Sequence, residues 1–93
     1  MQKQYSTAKK FKLITGVDLM KKNKELDKEA KSDGDNMTDL MEFLQYGLHL
    51  AFYQPDLTTA KRDFADFLET GMIESGIETL EKLSEKWSKE IKG

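Results

Sequence analysis

The sequence predicts an all-α protein: a small helical domain of three to four helices, preceded by a flexible basic N-terminal arm. Two observations carry this expectation. From Met37 onward apolar residues recur at helical spacing, while glycines and the single proline fall between the stripes. Charge divides along the chain as well: residues 1–31 hold nine lysines against four acidic side chains, and residues 32–93 hold thirteen acidic against six basic ones. The net charge of -2 is therefore the sum of a +5 segment and a -7 segment. Apolar residues follow the same division, so the core is expected within 37–91 and the arm within 1–31.

Element by element, Met1–Ala8 has no periodicity and reads as frayed. Lys10-Phe11-Lys12-Leu13-Ile14 alternates charged and apolar residues, which suggests a short strand ended by Thr15-Gly16, although no partner strand is in sight. Val17–Lys31 is rich in helix formers and reads as a softer helix within the arm, its thin apolar stripe of Leu19, Met20, Leu26 and Ala30 leaning on something else. A polar turn, Ser32–Asn36, separates it from the main signal. Met37, Leu40, Met41, Leu44, Leu48, Ala51 and Phe52 then make one helical stripe, flanked by Phe43, Gly47 and Leu50, so this helix should sit at the centre of the domain. Asn36 or Thr38 can cap its start, and Pro55 stops it by Gln54. A helix over about 59–70, capped by Thr58 or Thr59, carries Ala60, Phe64, Phe67 and Leu68 and ends at Gly71. The last helix, from about Met72 or Glu74 to Glu90, aligns Ile73, Ile77, Leu80, Leu83, Trp87 and Ile91, and offers Glu78–Lys82 and Glu85–Lys89 pairs outside.

Several function classes are set aside by composition. The chain has 93 residues, 38% of them hydrophobic, which allows a modest core and little room for a deep enclosed active site. No apolar run approaches a membrane span, and the absence of cysteine fits a reducing cytoplasm and removes thiolate chemistry. A net charge of -2 argues against a generally nucleic-acid-binding surface. The lysine-rich third has no arginine and only Tyr5 and Phe11 for base stacking. His49, the one histidine, lies on a polar strip with Glu42 and Gln45, reads as an exposed helix residue, and has neither a nucleophile nor further zinc ligands. Asp33-Gly34-Asp35-Asn36 resembles the start of a calcium loop, but Met37 and Leu44 stand where its fifth and twelfth ligands would be. The glycines fit no phosphate loop or dinucleotide fingerprint, and no catalytic residue, cofactor or metal is expected.

What remains is a dense aromatic set beside several methionines. Helical spacing assigns most of these side chains to the core, yet three amphipathic helices do not easily cover both flanks of the central one. Tyr46, Leu50 and Tyr53, at steps of four and three, are the expected leftover patch, with Met37 and Met41 as further contacts. Such a surface suits a partner's apolar helix, because methionine repacks around varied ligands, and it suits a homo-oligomer contact equally.

One arrangement has a family likeness. An apolar central helix (Leu40–Phe52) leads into a Gln54-Pro55-Asp56-Leu57-Thr58 turn that opens a short acidic helix. A break at Gly71 follows, then an amphipathic helix through Leu80-Glu81-Lys82-Leu83. Together these resemble the small tail assembly chaperones of long-tailed, siphovirus-type bacteriophages, and Lys10–Asp18 is similar to the leading segment of some of them. The resemblance implies a non-enzymatic, cytoplasmic protein that binds apolar helical segments of the tape measure protein before the tail tube polymerises. In that family a frameshifted longer form often recruits tail tube protein, and a 93-residue chain would be the short form. The resemblance carries over no site residues. A second reading, from a different class, is a small acidic helical adapter or inhibitor that docks on a basic host protein.

Overall fold

The computed structural model describes residues 6–32, 37–73 and 76–92. These hold five α-helices and no strand: α1 (Thr7–Thr15), α2 (Leu19–Ser32), α3 (Met37–Tyr53), α4 (Leu57–Thr70) and α5 (Leu80–Lys92). Helix α3 lies at the centre, contacted by the other four, and α1 also packs on α4. The all-α class and the central place of α3 are as the sequence predicts. The count of helices and the nature of the N-terminal third are not.

The first correction concerns Lys10–Ile14, which is helical where alternation suggested a strand. Phe11 and Ile14, three apart, share one face of α1 and are both buried. The Ser6 side chain accepts from the Lys9 N–H at 3.2 Å to start the helix. Gly16 ends it with φ 80°, its N–H bonded to the Lys12 carbonyl at 2.7 Å. An unpaired strand would have left these backbone groups without partners.

The second correction concerns the basic arm. Phe11, Ile14 and Leu19 share one core with Leu44, Leu48, Phe64 and Leu83, so the basic third contributes core residues to the body. Lysines on the outer faces of α1 and α2 had obscured the few apolar residues beneath them. Asp18 begins α2 by accepting from the Lys21 N–H at 3.1 Å, two residues later than the expected start at Val17.

Closest of all is the approach of α1 to α3. Gly47 lies under the Phe11 ring, and a Cβ there would fall 2.9 Å from Phe11 Cδ2 and 3.0 Å from Thr15 Cγ2. Phe43 meets Phe11 edge-on at 6.1 Å and Phe64 edge-on at 5.0 Å, which continues the aromatic contact from α1 through α3 into α4. The start of α1 is held from the far end of the chain. The Glu90 carboxylate accepts from the Thr7 N–H at 3.0 Å and from the Thr7 hydroxyl, placing an anion at a helix N-terminus.

Helix boundaries follow their caps. Helix α3 spans Met37–Tyr53 as expected before Pro55, with Thr38 already inside it, while Asn36 and the turn residues 33–36 lie outside the described residues. Helix α4 is capped by Asp56, whose carboxylate accepts from the Thr59 N–H at 3.3 Å, and not by Thr58 or Thr59. Gly71 closes α4 with φ 70°, as its position predicts. Helix α5 starts at Leu80, well after Met72, and Glu74 lies outside the described residues. Gly76, at φ 86°, sits in the non-helical segment, and the Thr79 hydroxyl accepts from the Lys82 N–H at 3.4 Å to cap the helix. Ile73 and Ile77 still reach the core from this extended segment.

Because Glu78 precedes α5, it does not pair with Lys82 along a helix. It instead fastens the segment before α5 to α3: its carboxylate accepts from the Tyr53 hydroxyl at 2.8 Å and from Lys86 Nζ at 2.8 Å, and its carbonyl accepts from Gln45 Nε2 at 2.9 Å. The Lys86 ammonium also donates to the Tyr53 hydroxyl and lies 4.7 Å from that ring's centre. Hydrogen bonds from Lys86 and then Tyr53 lower the Glu78 pKa from its ordinary 4.5, and the same bond to Glu78 raises that of Lys86 from 10.5.

These contacts predict three outcomes. Phe11→Ala is expected to cost about 3–5 kcal/mol in urea unfolding, a loss that a freely mobile arm would not produce. Gly47→Ala gains helix propensity but overpacks against Phe11, for a net destabilisation of about 1 kcal/mol, and a stabilised variant would refute the close approach. A depressed Glu78 pKa means that its contribution is complete above pH 4.5 and is lost as pH falls through the lower folded-state value. Glu78→Gln should therefore lower the urea midpoint at neutral pH, with the gap to the parent closing in acid. The Lys86 contribution is complete below pH 10.5 and fades as pH rises through the raised value.

Candidate functional site

An apolar groove of about 230 Å³ lies between α2 and α5, floored by α3. Leu44 and Leu48 form the floor, Leu19 and Asn23 one wall, and Leu80 with Trp87 the other. Ser84 and Ser88, one turn apart on α5, border the same space, and their small side chains leave it open. Leu44 and Leu48 are almost wholly shielded from solvent, whereas Leu80 and Trp87 are half-buried and available at the rim.

Met37 and Met41 continue the floor. Met37, Met41, Leu44 and Leu48 follow one another at steps of four, three and four, so they share a face of α3. The two leucines lie inside the groove, and the two methionines are exposed at the start of the helix. The larger cavities have charged walls: one of about 450 Å³ is lined by Lys22, Glu25, Lys28, Glu29 and Asp39 beside Leu40 and Phe43.

The expected patch is divided. Tyr46 is 7% exposed and Leu50 is 4% exposed, so both belong to the core. The Tyr46 ring lies 5.3 Å from Phe67 and 6.2 Å from Phe64, under α4. Tyr53 is 47% exposed, but its hydroxyl is engaged by Glu78 and Lys86. Of the five candidates, Met37, Met41 and Tyr53 therefore lie at the surface. Spacing shows which residues share a face and not whether another helix covers it. Here α4 covers Tyr46 through Phe64 and Phe67.

His49 is half-buried where an exposed residue was expected, with its ring 6.4 Å from Tyr46 and 5.2 Å from Tyr53. Among the described residues no group of three or more His, Asp or Glu could hold a metal ion. The acidic turn at 33–36 lies outside them. No helix among the described residues is long and apolar enough to cross a membrane. Helical spacing marks the wall residues Leu19, Leu80 and Trp87 only as stripe positions. The signal that could have marked them is the Ser84–Ser88 pair flanking Trp87, since small side chains one turn apart beside a large one leave space along that side of the helix.

Known proteins share this chain's sequence and architecture over nearly its whole length. Residues 3–91 match the family described as Lactococcus lactis phage p2, ORF12. Proteins called chaperone protein gp12, from Lactococcus phage p2 and Lactococcus phage SK1, are each 48% identical over 91 residues, which is 98% of this chain and 100% of theirs. A crystal structure of ORF12 from the Lactococcus lactis bacteriophage p2 matches with a TM-score of 0.89 and 47% identity, covering 97% of this chain and 99% of that one. These likenesses bear out the resemblance to phage chaperones that the helical arrangement had suggested. The chain belongs to the lactococcal phage p2 ORF12 family, whose relatives carry the name chaperone.

Proposed function

We propose that the protein is a non-enzymatic tail assembly chaperone that binds apolar helical segments of the tape measure protein in the host cytoplasm before the tail tube polymerises. The α2–α5 groove is the observation that carries this reading: an open apolar slot, floored by leucines and prolonged by methionines along one helix face. Each Leu, Ile or Phe side chain moved from water into such a slot contributes about 1.5–3 kcal/mol. One or two anchors barely offset the ~4–15 kcal/mol cost of association. Weak capture suits a chaperone that must release its client when the tube closes around it, and Met37 and Met41 can adapt to segments of differing shape.

Co-expression tests the reading. The protein should raise the soluble yield of tape measure fragments, and Ser84→Phe, which fills the groove from an exposed position, should remove most of that gain while leaving thermal unfolding unchanged. Absence of protection by the unmutated protein would sink the proposal. Protection by the parent and by Ser84→Phe alike would place the contact elsewhere. Rescue confined to basic fragments without apolar periodicity would favour the acidic adapter instead.

A further inference from the structure

A second surface, sharing no lining residue with the groove, lies where the end of α4 meets α3. Two clefts of about 490 and 260 Å³ flank the Phe67 side chain, which lines both. Leu68, in the wall of the smaller, is 60% exposed, and Met72, in the wall of the larger, is 75% exposed. These two exposed side chains, one in each cleft with the mostly buried Phe67 ring common to both, form an apolar spot without a cover among the described residues.

Carboxylates edge both clefts. Asp39 and Glu42 line the smaller and Asp63 and Asp66 the larger, while neither contains a lysine or an arginine. Asp63 has Arg62 at 3.9 Å, and Asp39 also borders the neighbouring cavity that holds Lys22 and Lys28. Glu42 and Asp66 make no ion pair among the described residues. An apolar spot between unneutralised carboxylates on two sides selects a ligand that brings cations on both sides of an apolar group. It disfavours acidic peptides and anionic surfaces by like-charge repulsion.

We propose that the Leu68–Met72 face, between Glu42 and Asp66, is a docking site for a basic amphipathic peptide segment that presents Lys or Arg on either side of an apolar side chain. This site stands apart from the groove and does not depend on what the groove holds. It gives the protein two contacts of different chemistry: one dry and apolar, the other salt-sensitive and selective for positive charge.

The test uses the full-length protein with a short amphipathic Leu/Lys peptide and its Leu/Glu counterpart, followed by amide chemical shifts in NMR titration. The Leu/Lys peptide should shift resonances of Phe67, Leu68 and Met72, weaken with added salt, and bind at least tenfold more tightly than the Leu/Glu peptide. Loss of two exposed charge pairs in Glu42→Gln/Asp66→Asn should weaken binding about fivefold. Leu68→Ser/Met72→Ser should weaken it about tenfold or more, and the exposure of both side chains leaves the fold intact, which circular dichroism verifies. Equal binding of the two peptides, shifts centred on Leu44, Leu48 and Trp87, or indifference to both double variants would overturn the proposal. So would sedimentation showing that Leu68 and Met72 instead join copies of this chain.

Discussion

The contact between Phe11 and Gly47 is the one on which the rest of the fold rests. A helix interior disfavours glycine by about 1 kcal/mol relative to alanine, and α3 accepts that cost at its midpoint. What it gains is approach: the Phe11 ring occupies the volume a Cβ would need, and Phe11 is completely buried there. With α1 seated this way, its N-terminus reaches Glu90 near the end of α5, so the chain's first and last described helices are joined across the central one.

That arrangement decides which surfaces remain open. Helices α1 and α4 cover one side of α3 through Phe11, Phe43, Phe64 and Phe67, and Tyr46 joins this aromatic layer as a core residue at the edge of the larger α3–α4 cleft. Helices α2 and α5 flank Leu44 and Leu48 without filling the space above them, because Asn23, Ser84 and Ser88 are too small or too polar to close it. The Glu78 bonds to Tyr53, Lys86 and Gln45 hold the segment before α5 against α3, and with it the groove wall that Leu80 begins. Charge is distributed by the same packing. Most lysines of α1 and α2 are exposed around their few buried residues, with Lys22 lying over the Phe43 ring, while acidic side chains gather at the α3–α4 end.

An apolar groove and an acid-edged apolar spot respond to different conditions. The first is nearly insensitive to salt, and the second is weakened by it. A ligand carrying both apolar periodicity and flanking lysines exceeds either affinity alone only where its length spans the two sites.

The sequence by itself determined the helical class, the central helix from Met37 to Tyr53, the stop at Pro55 and the left-handed cap at Gly71, because helical periodicity and backbone sterics act over a few residues. It also marked the methionines at the start of α3 as surface candidates. Local pattern misjudged the alternation at Lys10–Ile14, which a helix whose buried apolar positions are Phe11 and Ile14 satisfies as well as a strand does. It also misplaced the start of α5, where apolar spacing ran on through Ile73 and Ile77 although Gly76 had broken the helix. Only the tertiary structure decided that Tyr46 and Leu50 are core, that the basic third contributes to the body, and that the opening falls between α2 and α5. Burial is a property of what lies across from a face, and Phe11 and Gly47, thirty-six positions apart, meet only when the chain has folded.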